Sequence, residues 1–100
     1  MNILAREGEY GFVHTISTGV DHSASYTSAS IFYKAPDGTV TEKTCDTVDA
    51  SAGEYGWEVT DDFFTVGRWE AQLKLVLSSG VRKLKTPVVF WIGDSGEGSV

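Results

Sequence analysis

The stretch Trp69-Glu70-Ala71-Gln72-Leu73-Lys74-Leu75-Val76-Leu77 decides the fold. In an extended chain Trp69, Ala71, Leu73, Leu75 and Leu77 fall on one side, while Arg68, Glu70, Gln72 and Lys74 fall on the other. This is the period of a β-strand with one buried face. Helical spacing groups Trp69, Leu73 and Val76 but sends Leu75 and Leu77 elsewhere, so it accounts for fewer of the apolar positions.

The same alternation recurs on both sides of this strand. Downstream, residues 88–92 read as a further strand; upstream, Tyr55, Trp57 and Val59 alternate with Glu54, Gly56, Glu58 and Thr60. Earlier still, Ala29, Ile31, Tyr33 and Ala35 alternate with Ser28, Ser30, Phe32 and Lys34, and the run stops at Pro36-Asp37-Gly38. Proline presets φ for a turn and glycine accepts a positive φ, so residues 33–41 are predicted to form a hairpin with the β-branched stretch 39–45. Residues 12–18 supply another strand and residues 2–6 an edge strand, for about seven in all. Turn-forming separators fall at residues 19–25, 36–38, 46–53, 61–67 and 78–83. No segment carries helical periodicity bounded by caps. The expected fold is therefore all-β, an antiparallel two-sheet sandwich with Trp69, Leu73, Leu75, Leu77, Trp57, Val59, Ile31, Tyr33, Val88 and Phe90 facing inward.

Composition narrows the classes of function. One hundred residues, 41% hydrophobic and 12% aromatic with two prolines, describe one domain over residues 1–92. The final Gly93-Asp94-Ser95-Gly96-Glu97-Gly98-Ser99-Val100 reads as a flexible glycine-rich acidic tail. Large catalytic folds do not fit this length. Fourteen acidic against eight basic residues give a net charge of −6, the wrong sign for neutralising phosphates, so nucleic acid is not an expected partner. Arg82, Lys83 and Lys85 read as a solvated turn rather than a phosphate track. Cys45 is the single cysteine, which excludes an internal disulfide and a cysteine-based zinc cluster. The amino terminus lacks the pattern of a signal peptide, and no run approaches the roughly 18 apolar residues that span a bilayer, so synthesis in the cytoplasm without membrane contact is expected.

Candidate chemistry is sparse. Gly93-Asp94-Ser95-Gly96 looks like the segment around a protease nucleophile, but only four residues follow it, and the two barrels, base and oxyanion hole of such an enzyme have no room. His14 sits mid-strand between Phe12 and Ile16 and reads as a partly buried, hydrogen-bonded side chain; His22 is a loop residue. Asp46, Asp49, Glu54, Asp61 and Asp62 fall at turns, where carboxylates bond nearby amides, and they lack the spacing of a calcium loop. Cys45 has no histidine close in sequence and reads as a small semi-buried filler. Glycines are dispersed, with no phosphate-cradling loop. No catalytic residue, metal site or cofactor is expected.

The informative residues are apolar ones left over once the core is assigned. In Pro87-Val88-Val89-Phe90-Trp91-Ile92, placing Val88, Phe90 and Ile92 inward sends Val89 and Trp91 outward. Either the amino-terminal segment covers them or another protein does. Phe32 raises the same question on the hairpin, and Phe63 with Phe64 does so in a loop. Trp91, Val89, Phe32, Phe63 and Phe64 are thus the candidate interface residues.

With these residues placed, the chain resembles the immunoglobulin-like domain of tailed-phage virion proteins, in particular the amino-terminal domain of the baseplate upper protein family. The resemblance runs from Glu9 to Ile92 and lies in the order of short motifs. Glu9-Tyr10-Gly11-Phe12 comes first, then Ser28-Ala29-Ser30-Ile31-Phe32-Tyr33-Lys34-Ala35-Pro36-Asp37-Gly38-Thr39-Val40, similar to the family's hydrophobic strand ending in a "PDGT" turn. Ala52-Gly53-Glu54-Tyr55-Gly56-Trp57, Val66-Gly67-Arg68-Trp69-Glu70-Ala71-Gln72-Leu73 and Thr86-Pro87-Val88-Val89-Phe90-Trp91-Ile92 follow in the family's order. Where the family carries "LTGA" or "LSGA" before the hairpin, this chain has Ala24-Ser25-Tyr26-Thr27-Ser28, and its first loop lacks the usual aspartate-glycine pair.

The resemblance implies an Ig-like, non-enzymatic component of a virion that docks on tail, baseplate, neck or capsid. Its partners would be other virion proteins, with multiple copies in a symmetric assembly. The rival expectation is a carbohydrate or cell-surface binding module whose exposed aromatics stack on a host glycan.

Overall fold

A computed structural model describes residues 3–8, 10–60, 63–83 and 87–93. The expected Gly93–Val100 tail therefore lies outside the described residues except for Gly93, as do Asp61, Asp62 and Lys85. Nine strands are present among the described residues: β1 (Ile3–Arg6), β2 (Val13–Ser17), β3 (Tyr26–Lys34), β4 (Val40–Thr44), β5 (Thr47–Asp49), β6 (Glu54–Glu58), β7 (Gly67–Leu77), β8 (Gly80–Lys83) and β9 (Val88–Gly93). They form two sheets. The larger runs β1-β9-β7-β3-β4, with β8 paired to the far half of β7, and the smaller runs β2-β6-β5.

The expected count of about seven was short by β5 and β8, which lie in the stretches 46–53 and 78–83 read as separators. At three and four residues they are too short to show alternation; their partners β6 and β7 define them through backbone pairing. Gly93, expected to begin the tail, instead closes β9 and accepts a bond from the Glu7 amide at 2.8 Å.

The hairpin forms where the sequence places it. The Ala35 amide bonds Thr39 O at 2.8 Å, the Gly38 amide bonds Ala35 O at 2.9 Å, and Gly38 takes φ +92°, a conformation that suits a residue without Cβ. Asp37 Oδ1 accepts the Thr39 amide at 2.9 Å and closes the turn. From this turn the register follows: Tyr33 faces Thr41 and Ile31 faces Lys43 on one side of β3, and Ile31 faces Leu73 and Tyr33 faces Ala71 on the other.

The core lies between the sheets. Ala29, Ile31, Tyr33, Trp69, Ala71, Leu73, Leu75, Phe90 and Ile92 come from the large sheet, and Ile16, Tyr55 and Trp57 from the small one. Two residues expected inward are less covered than the rest. Leu77, at the end of β7, is half-buried and packs against the core, and Val88 is 40% exposed, because it opens β9 outside the cluster of rings that Phe90 joins.

With no disulfide available, polar contacts tie the layers together. Trp57 Nε1 on β6 donates to Tyr33 Oη on β3 at 2.6 Å, and Tyr33 Oη lies 2.5 Å from His14 Nδ1 on β2. The indole can only donate, which leaves the phenol proton for His14 Nδ1 and assigns His14 as the neutral form protonated on Nε2. All three side chains are buried, and the Trp57 N–H, the Tyr33 hydroxyl and His14 Nδ1 satisfy one another across the sandwich.

Candidate docking surface

The outer face of the large sheet is built by the side chains that alternate with the core. Register places them in rows. Val89 on β9 faces Glu70 on β7, Glu70 faces Lys34 on β3, and Lys34 faces Val40 on β4, so these four span the sheet side by side. One step along, Phe32 lies between Gln72 and Glu42, and on the other side Trp91 lies opposite Arg68. Val89 is 42% and Val40 62% exposed, whereas Trp91 and Phe32 are half-buried. A depression of about 170 Å³ opens on this face between Phe32, Val40, Glu70, Gln72 and Pro87.

Charged groups frame these apolar side chains. Arg68 Nη1 pairs with Glu70 Oε2 at 2.7 Å along β7, and Lys74 Nζ stands 3.9 Å from Glu42 Oε2 and 5.9 Å from the Phe32 ring centroid. Ser30 Oγ donates to Glu42 Oε2 at 2.5 Å, which holds that carboxylate against the sheet. Among the described residues the amino-terminal strand does not cover this surface. β1 pairs edge-to-edge and parallel with the last part of β9, Ile3 beside Trp91 and Arg6 beside Gly93, and so extends the sheet rather than shielding its face.

Of the five residues expected to form the interface, the structure brings Trp91, Val89 and Phe32 onto this outer face. Phe63 and Phe64 belong elsewhere. Phe64, expected as an exposed anchor, is 1% exposed: its ring meets Trp69 edge-on at 5.0 Å and Phe90 at 5.6 Å, filling the space between the sheets. Phe63 is half-buried beside it, at 5.0 Å from the Trp57 ring, with Lys43 Nζ 4.9 Å above its own ring. A loop without alternation gives no sign of which residues turn in, and here an open space in the aromatic layer draws both rings inward. Val40 was missed in the opposite sense. Extending the hairpin register outward from Pro36-Asp37-Gly38 would have placed it beside Lys34 on the outer face.

The remaining polar candidates have structural partners. His14 belongs to the inter-sheet bonds, and burial lowers its pKa to about 4. His22 lies in a loop yet is buried, with Nδ1 3.0 Å from Tyr55 Oη. Asp49 accepts from Ser51 Oγ at 2.7 Å and from the Ala52 amide at 3.2 Å, and Asp21 from Ser23 Oγ at 2.6 Å and from the Ser23 amide at 2.8 Å. These bonds hold both carboxyls below the usual range. Burial pushes the Cys45 thiol up to about 12. Among the described residues no three His, Cys, Asp or Glu side chains gather as a metal site.

Fold and surface together define a two-sheet all-β domain with apolar side chains set in a charged sheet face. No family model, curated protein or solved structure matches the chain.

Proposed function

We propose that this chain is a non-enzymatic structural domain of a tailed-phage particle, an Ig-like sandwich that docks on a neighbouring virion protein through the outer face of its large sheet. The observation that carries the docking role is the outward placement of Val89, Val40, Trp91 and Phe32 on one face that the chain's own amino-terminal strand leaves uncovered. The order of short motifs from Glu9 to Ile92 supports the virion setting and the Ig-like topology. Partly exposed apolar anchors amid ion pairs suit a surface that is wet before assembly and desolvated after it, with the ion pairs selecting the partner.

Copurification of the tagged chain with sedimenting phage particles tests this role. Val89→Asp, alone and combined with Trp91→Ser, should fold, as read by urea melts, and fail to sediment with particles. A folded double variant that still sediments with them overturns the reading.

A further inference from the structure

β4 closes the large sheet opposite β1, and its register fixes which of its backbone groups β3 uses. The Cys45 amide bonds Ala29 O at 2.9 Å, and the Ala35 amide bonds Thr39 O at 2.8 Å. Counting by twos between these bonded pairs, Thr41 and Lys43 direct their N–H and C=O toward Tyr33 and Ile31. Val40, Glu42 and Thr44 therefore present three N–H and three C=O groups to the open edge. Alongside, on the inner side of β4, a cleft of about 340 Å³ opens between the hairpin and the segment that leads into β7, lined by Thr39, Thr41, Lys43, Phe63, Thr65 and Trp69. Its floor is aromatic, and the Lys43 ammonium stands 4.9 Å from the Phe63 ring centroid and 5.2 Å from that of Trp57.

We infer that this edge accepts an extended segment of a different polypeptide by antiparallel strand addition, a mode that presupposes the docking role proposed above. The added strand bonds Val40, Glu42 and Thr44 through its backbone, and every second side chain enters the cleft. Apolar side chains suit the surface of Phe63, and an acidic side chain suits Lys43. The strand's own charges argue against a second copy of this chain as the occupant. A two-fold pairing that uses all six edge groups sets Glu42 opposite Glu42; sliding it one way sets Lys43 opposite Lys43, and sliding it the other way leaves Thr44 unpaired. Charges on an edge strand discourage indiscriminate pairing, so a partner must match them.

The probe is a synthetic peptide of alternating sequence, acetyl-Thr-Glu-Thr-Phe-Thr-Val-Thr-amide, which in antiparallel register sets its glutamate opposite Lys43 and its phenylalanine opposite Thr41, titrated into the full ¹⁵N-labelled chain. Its controls are a scrambled peptide and one with lysine in place of glutamate. Strand addition requires saturable shifts and slowed amide exchange at Val40, Glu42 and Thr44, with Thr41 and Lys43 unaltered because β3 already bonds them. Thr44→Pro removes one edge donor without touching the β3 ladder and should weaken binding about tenfold, the worth of one hydrogen bond. Lys43→Glu, a side-chain change that leaves the backbone intact, should reverse the preference between the glutamate and lysine peptides. Absence of protection at the three amides, equal binding of the scrambled peptide, or an unchanged preference in Lys43→Glu overturns the inference. Protection at the same amides in a peptide-free dimer seen by sedimentation equilibrium also overturns it, in favour of a second copy. If the peptide fails while Val89→Asp still excludes the chain from particles, strand addition falls and docking through the outer face stands.

Discussion

Acidification should loosen the sandwich through one residue, His14. Its Nδ1 accepts the Tyr33 phenol proton, and Tyr33 in turn accepts from Trp57, so the bonds between β2, β3 and β6 require an unprotonated Nδ1. Burial lowers the His14 pKa from 6.5 to about 4 in the folded chain. The folded state therefore holds on to a proton less readily than the unfolded one. Stability is full above pH 6.5, falls as the pH drops from 6.5 to 4, and levels off below 4 where both states carry the proton. At about 1.4 kcal/mol per pKa unit, this window is worth about 3 kcal/mol at its limit, a large share of the roughly 5–15 kcal/mol that stabilises a domain. Urea melts followed by tryptophan fluorescence, taken at steps between pH 7 and pH 4, measure it. The comparison is His14→Gln, whose side-chain oxygen can still accept from Tyr33 but does not titrate. His22 and the carboxylates are common to both proteins, so the difference between the two curves isolates His14. Parallel curves across this window would show that His14 is not held neutral by its surroundings, and the reasoning would fail.

Three further outcomes follow from the same packing. Tyr33→Phe leaves the Trp57 indole N–H and His14 Nδ1 buried without partners, at about 1–3 kcal/mol each, and should lower the urea midpoint accordingly. Phe64→Ala should cost about 3–5 kcal/mol because the ring is enclosed by Trp69 and Phe90, whereas Val89→Ser on the open face should change stability by no more than about 0.5 kcal/mol; a reversed order of the two melts would place Phe64 at the surface after all. Cys45, buried and with its thiol pushed up to about 12, should resist a disulfide-exchange reagent at pH 8 until urea unfolds the chain, and prompt labelling of the native protein would contradict its burial.

The outer sheet face and the β4 edge offer two different kinds of contact. The face presents side chains whose apolar area is already partly covered by their neighbours, so affinity for the proposed partner would depend on shape and on the ion pairs Arg68–Glu70 and Lys74–Glu42. The edge presents backbone groups whose bonding needs are independent of side-chain identity, and only the cleft beside it discriminates. A chain using both would hold a partner by surface and by strand, on surfaces that meet at β4.

The sequence by itself determined the strand pattern and the direction of most side chains. Alternation in 69–77 is strict because an extended backbone sends successive Cβ atoms to opposite faces, and that alone predicted the burial of Trp69, Ala71, Leu73 and Leu75. The Pro36-Asp37-Gly38 turn likewise announced its hairpin, since its residues match the φ values that the turn needs. By the same counting Val89 and Trp91 were legible as outward-facing. Tertiary structure alone decided the rest. Phe63 and Phe64 are consecutive, in a segment without periodicity, and only the space left between the two sheets drew them in. Bonds from Tyr33 to Trp57 and His14 join residues 24 and 19 positions away, and nothing local in the chain marks such partners. β5 and β8 exist because a neighbouring strand was there to pair with, and β4 is an edge because no other strand among the described residues pairs with its far side. Alternation is a property of one strand; burial in a loop, long-range polar pairing and exposure of an edge are properties of how strands are brought together.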